Sequence, residues 1–102
     1  MQIKKNRNGF IYLLRERASV NIDEEVYKTG KTKNIKKRLA GYTKGYEIKH
    51  ITLSKNIDID EKEIFKKYNE KFNKRKDYGR EYFEGNVNEM IKIINKTVKN
   101  NI

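Results

Sequence analysis

Polar aromatic and cationic side chains concentrate between residues 12 and 42 of the sequence. Arg38 and Tyr42 are four residues apart in a helical pattern, so both side chains can reach the same neighbouring group. Gly30 allows a close backbone approach, and an arginine offers a planar fork of donors. The segment therefore predicts a phosphate-binding site. Its candidate residues are Tyr12, Tyr27, Lys28, Gly30, Lys31, Lys36, Lys37, Arg38 and Tyr42.

The charge balance indicates what kind of partner the chain binds. Its 102 residues include 25 Lys and Arg against 14 Asp and Glu, a formal net charge of +11 at pH 7. Such a density of positive charge on a small domain most often serves a polyanion, and nucleic acid is the first candidate. AT-rich codons would also raise the lysine content, but they supply Asp and Glu too and do not by themselves explain the imbalance.

The composition also excludes several classes of chemistry. Cysteine is absent and there is one histidine. Disulfide frameworks, thiolate nucleophiles and Cys/His zinc sites are therefore excluded, and any metal must be bound through oxygen. No apolar run is long enough for a membrane span, and none resembles a secretory signal. We expect a cytoplasmic or host intracellular protein that is neither secreted nor membrane-bound.

The hydrophobic pattern predicts a small α+β domain. Three strands are expected, at Phe10–Leu14, Glu25–Thr29 and Tyr46–Leu53. A first helix is capped by Thr32 or Asn34, a second begins at an acidic capping box of Asp58 and Glu61, and a closing helix follows Asn86. The order β-β-α-β-α plus a C-terminal helix predicts a three-stranded antiparallel sheet flanked by helices. We expect one domain over residues 1–102, with a core at about 9–98 and frayed termini.

Several motifs together resemble the GIY-YIG nuclease superfamily. Phe10–Tyr12 reads FIY, Lys28–Thr32 reads KTGKT, and Arg38 follows Gly30 by eight residues. The segment EKEIFKKYNEKFN, residues 61–73, resembles the glutamate-to-asparagine helix in the nuclease domain of the bacterial excision-repair nuclease subunit. Glu81–Phe83 resembles the end of small viral and phage members of the superfamily.

This resemblance implies a metal-dependent endonuclease that hydrolyses phosphodiester bonds, with DNA favoured over RNA as the substrate. By analogy, Tyr12 would deprotonate or position the attacking water, and Glu61 would bind one divalent metal ion, Mg²⁺, which Mn²⁺ could replace. Arg38 and Lys31 would hold the scissile phosphate, and Tyr42 and Asn73 would orient it or its neighbours. Lys36 and Lys37 would add phosphate contacts on the same helix. Glu81 is the rival metal ligand.

The chain departs from the superfamily pattern at one motif tyrosine. That position aligns with Lys28, whereas Tyr27 lies one residue earlier, and neighbouring strand residues face opposite sides of a sheet. If Gly30 fixes the register, Lys28 faces the site and Tyr27 packs in the core. Lys28 would then bind phosphate, or accept a proton if Arg38 and Lys31 lower its pKa.

Each candidate also has a structural interpretation. Tyr12 could be an ordinary strand aromatic, Glu61 a capping residue and Asn73 a helix C-cap, while the lysines could form a solvated helix face. A catalytically weak or inactive nucleic-acid-binding module on the same fold is therefore the alternative function, and docking on an acidic protein is a third. No separate recognition module is visible, which leaves specificity to loops, a homodimer or a partner.

Overall fold

In the part of the chain that the structure describes, five strands form a single antiparallel sheet. The computed structural model describes residues 7–102. Its elements are β1 (Gly9–Arg15), α1 (Arg17–Asn21), β2 (Val26–Thr32), α2 (Ile35–Ala40), β3 (Glu47–Ser54), α3 (Ile57–Lys71), β4 (Asn73–Lys74), β5 (Tyr82–Glu84) and α4 (Val87–Asn100). The strand order in the sheet is β3-β1-β2-β5-β4. The α+β class is confirmed, but the prediction of three strands was wrong. The two extra strands have two and three residues, too few to show an alternating pattern.

The central position of β1 explains its unbroken apolar run. This strand pairs with β2 on one side and with β3 on the other, and residues 11–15 are all buried. Ile11 and Leu13 face α3 and α4, where Ile64 and Ile94 complete the core. Because both faces of β1 are covered, apolar residues occupy consecutive positions and the strand lacks polar alternation.

Asparagine side chains cap the N-termini of helices α2, α3 and α4. Asn34 accepts a hydrogen bond from the amide of Lys37 at the start of α2, and Asn86 does the same for Glu89 at α4. At α3 the cap is Asn56, which accepts from the amides of residues 58 and 59. The predicted capping box of Asp58 and Glu61 was therefore wrong. Both residues lie within the first turns of α3, and both carboxylates contact Lys31 instead.

The connection between β1 and β2 is more than a plain loop. It contains the short helix α1, and Asp23 adopts a left-handed conformation with φ 55° on the way into β2. At the C-terminus, α4 continues to Asn100, past the point where fraying was expected, while the expected fraying of residues 1–6 lies outside the described residues. Between residues 7 and 102, no helix is both long and apolar enough to cross a membrane.

Candidate active site

The Tyr12 ring lies directly across Gly30 of the neighbouring strand. These residues are opposite each other in the β1–β2 register, and Tyr12 is completely buried. A Cβ placed on Gly30 would lie 2.8 Å from Cε2 of the ring, much closer than real side chains approach. The glycine is therefore required by the tyrosine packed above it.

We expect Gly30→Ala to displace this ring and to lower the free energy of unfolding by about 1–3 kcal/mol, the usual cost of overpacking. Gly41→Ala is the matched control, because a Cβ there meets only the Arg38 carbonyl oxygen, at 3.4 Å. Urea denaturation followed by circular dichroism measures both variants. Equal stability of the two variants would contradict the close packing of Tyr12 on Gly30.

A hydrogen-bonded group of Tyr12, Tyr42 and Arg38 extends from this contact. Arg38 Nε donates to the Tyr12 hydroxyl at 3.0 Å, and the two tyrosine hydroxyls share a hydrogen bond of 2.7 Å. Burial, with the hydrogen bond to Tyr42 as the second cause, raises the pKa of Tyr12 to about 12. Tyr12 is thus a neutral phenol near pH 7, and its contacts hold the exposed Arg38 in place.

Lys28 connects this group to the acidic side of the site. Its Nζ lies 5.1 Å from the Tyr42 ring centroid, 5.6 Å from the Tyr82 centroid and 4.0 Å from Glu81 Oε1. Only 14% of the side chain is exposed. Tyr27 instead packs in the hydrophobic core. The structure therefore places the lysine, and not the tyrosine before it, on the side of β2 that carries Gly30.

A cleft of about 640 Å³ opens beside β2 near the point where its pairing with β5 ends. The lining combines four cations, two carboxylates and two aromatic rings. These residues are Lys28, Lys31, Glu61, Phe65, Lys74, Arg80, Glu81 and Tyr82. The two glutamates that the sequence offered as rivals thus share one cleft.

Glu61 is the most unusual residue of the cleft. It is 8% exposed, and its Oε2 atom is buried without a hydrogen-bond partner. Lys31 Nζ approaches Oε1 at 3.2 Å and also contacts Asp58 at 2.8 Å. Burial raises the pKa of Glu61, Lys31 opposes this shift, and the nearby Glu81 carboxylate reinforces it. A buried carboxylate oxygen without a donor is costly unless something binds it.

The donor set could hold one hard cation. Within residues 7–102, no group of three or more Asp, Glu, His or Cys side chains is arranged around a common point. Glu61 and Glu81 are two carboxylates at one cleft, and the unpartnered oxygen of Glu61 is available to bind a cation. Mg²⁺ commonly takes one or two carboxylates and completes its octahedron with water and phosphate oxygens.

Other predicted residues lie outside the cleft. Lys36 and Lys37 are exposed on α2, and Lys37 lines a shallow depression with Arg38. Asn73 is exposed in β4, opposite Glu84 in the strand register, and does not line the cleft; the next residue, Lys74, does. The α3 helix ends at Lys71 and its C-cap is Phe72, so the alternative interpretation of Asn73 as a helix C-cap was wrong.

Sequence reasoning missed Lys74, Arg80, Tyr82 and Phe65 as lining residues. The available signal was the positive charge of segment 73–80. Arg75 holds this segment in place through ion pairs with three acidic residues.

Arg75 contacts Glu24 at 2.7 Å, Asp77 at 2.8 Å and Glu84 at 3.2 Å. Tyr78 adds a hydrogen bond to Glu24. These contacts fasten the β4–β5 connection to the segment preceding β2. The residues that follow, including Arg80 and Glu81, are thereby presented to the cleft.

Comparison with known proteins adds one relationship. No curated protein and no solved structure shows significant similarity to the chain. The T5orf172 domain matches residues 9–98, which covers β1 through nearly all of α4 and includes the whole cleft. The chain therefore belongs to the T5orf172 domain family.

Proposed function

We propose that this protein is a metal-dependent endonuclease of the GIY-YIG type that hydrolyses phosphodiester bonds in DNA. The observation that carries the proposal is the unpartnered, buried Oε2 of Glu61 in a cleft lined by four cations. Metal-dependent hydrolysis of a phosphodiester requires both features. Cations stabilise the charge that develops on the phosphate, and a carboxylate oxygen binds the divalent ion. The T5orf172 family, a phage-associated domain of nuclease-related type, is consistent with this activity.

Glu61, assisted by Glu81, would hold one Mg²⁺ ion, for which Mn²⁺ could substitute. Bound there, the ion would act as a Lewis acid on the phosphate and lower the pKa of a water molecule. Lys31 contributes by balancing the charge of Glu61 until substrate arrives, and its second contact with Asp58 keeps it at the rim of the cleft.

The cations of the site divide into two groups. Lys28 and Lys31 line the cleft itself, and Arg38 lies beyond Tyr42 on α2. We assign the scissile phosphate to Lys31 and Arg38, with Lys36 and Lys37 contacting phosphates farther along the strand. Lys28, which takes the place of a superfamily tyrosine, binds phosphate as a cation held by Glu81 and the rings of Tyr42 and Tyr82.

Tyr12 acts as a positioning residue in this scheme. Its hydroxyl is engaged by Arg38 and Tyr42, and its pKa of about 12 keeps it protonated near pH 7. A protonated phenol is a poor general base but a suitable acceptor for Arg38. Tyr42 completes the same arrangement through the hydrogen bond between its hydroxyl and that of Tyr12.

A non-catalytic DNA-binding module on the same fold is the second candidate. Lys28 in place of the tyrosine favours it, because one expected proton-transfer group is missing. Both candidates share the basic surface and differ in whether phosphodiester bonds are broken.

Nicking of a supercoiled plasmid in Mg²⁺, with and without EDTA, separates the two candidates. We expect nicking that EDTA abolishes and Mn²⁺ restores. Purified protein that binds DNA but leaves the plasmid intact in Mg²⁺ and in Mn²⁺ would support the non-catalytic module and exclude the nuclease.

Under either candidate, affinity for DNA should fall steeply with salt because phosphate contacts release counterions. With about four phosphate contacts, we expect Kd to rise about 100-fold between about 50 and 200 mM salt. Fluorescence anisotropy with a labelled duplex in EDTA measures this dependence. A Kd independent of ionic strength would rule out both candidates.

A further inference from the structure

A second hollow, on the outer face of α3, adjoins the cleft. It has a volume of about 740 Å³ and is lined by Ile59, Lys62, Glu63, Phe65, Lys66 and Asn69. Phe65 lines both hollows, so its ring forms the boundary between them. A nucleic-acid strand that runs from the cleft into this hollow must pass over the Phe65 ring.

The exposed part of Phe65 is suited to stacking. Its ring is stacked against Phe83 at 5.9 Å between centroids and meets the Tyr68 ring edge-on at 6.3 Å. These core contacts fix the ring, yet it remains partly exposed at the rim of both hollows. A rigid aromatic ring on a basic surface is the usual platform for an unpaired base, because every base has a π face.

The charges of the hollow favour a polyanion. Lys62 and Lys66 are exposed, one helical turn apart, on the same face of α3. Glu63 is the acidic lining residue, and one of its oxygens accepts a hydrogen bond from the Asn101 amide at 2.9 Å. The lysines are thus placed to hold phosphates beside the ring.

We propose that this hollow, here called the α3 groove, binds a single-stranded extension of the DNA substrate. One unpaired base stacks on Phe65, and Lys62 and Lys66 bind its flanking phosphates. The assignment rests on the proposed function, since the same strand continues into the cleft for cleavage. It makes branched or tailed DNA, and not a blunt duplex, the preferred substrate class.

The experiment compares two labelled DNA probes of the same duplex sequence, one blunt and one with a single-stranded tail. Binding is measured by fluorescence anisotropy in EDTA, so that the result does not depend on catalysis. We expect the tail to tighten binding about tenfold, in line with one stacked base and its phosphates.

Substitutions test which residues bind the single-stranded tail. The double variant Lys62→Ala, Lys66→Ala should lose most of the tail advantage and retain blunt-duplex affinity within about twofold. The single variant Phe65→Leu should also lose most of the tail advantage. Lys92→Ala, Lys96→Ala removes the same charge at the same spacing from exposed positions on α4 and should preserve the advantage. Because the lysine variants change only exposed side chains, they report on the groove even if Phe65→Leu disturbs the core.

Two results would overturn the proposal. One is equal affinity of the wild-type protein for tailed and blunt DNA. The other is an equal loss of affinity for both probes in the Lys62, Lys66 variant, which would indicate only a general effect of charge. The binding assay in EDTA and the plasmid-nicking assay are independent. A protein that prefers tailed DNA but does not nick the plasmid would therefore refute the proposed catalysis and still support binding in the α3 groove.

Discussion

Replacing Glu61 with Gln is expected to lower the rate of plasmid nicking by at least about 100-fold while DNA affinity in EDTA stays within about twofold. Glutamine keeps the size of the side chain but removes the charge that binds a divalent ion. Residues that only support metal ligands already cost about 10–100-fold when mutated, so a ligand should cost at least as much. The variant should fold, because removing a buried charge relieves the desolvation that raises the pKa of Glu61.

Glu70→Gln is the matched control for this variant, since Glu70 lies exposed on the same helix and does not line the cleft. Isothermal titration with Mg²⁺ provides a readout independent of cleavage, and the binding heat should disappear in Glu61→Gln alone. Glu81→Gln should weaken Mg²⁺ binding less, because that side chain is more exposed and its Oε1 faces Lys28. If Glu81→Gln abolishes nicking and Glu61→Gln does not, the metal assignment is wrong.

The parts of the fold that were predictable are those encoded locally. The buried strand β1, the caps at Asn34 and Asn86, and the helical spacing of α3 depend on neighbouring residues in the sequence. The β4–β5 pair was missed for the opposite reason. It is held by contacts of Arg75 with Glu84 of β5 and with Glu24, which lies 51 residues earlier in the chain.

The same distinction applies to the site. The spacing of Gly30 and Arg38 is a local property, and the structure brings both to Tyr12. The meeting of Glu61 with Glu81 depends on how β5 pairs with β2, which no local pattern records, so the sequence could only treat the two as rivals. Asn73 matched the superfamily pattern by spacing along a helix, but α3 ends at Lys71 and the chain turns into β4.

Substitution of Arg38 is expected to have the second large effect on catalysis. Arg38→Lys is expected to lower kcat about 100- to 1,000-fold, the usual loss when a donor to the developing charge is removed. Arg38 donates from Nε to Tyr12 and still presents an exposed guanidinium, which a phosphate can approach. A lysine keeps the charge but cannot bond the tyrosine and hold a phosphate through one planar group.

Because the charge is retained, Arg38→Lys should leave the salt dependence of DNA binding unchanged, and KM should change by less than about threefold. Tyr12→Phe provides the companion measurement, since it removes the hydroxyl that receives Arg38 Nε and leaves the ring over Gly30. If Tyr12 acts only by positioning Arg38, the double variant should be no slower than Arg38→Lys alone. Additive losses in the double variant would instead show that Tyr12 takes part in the reaction through another route, such as the attacking water.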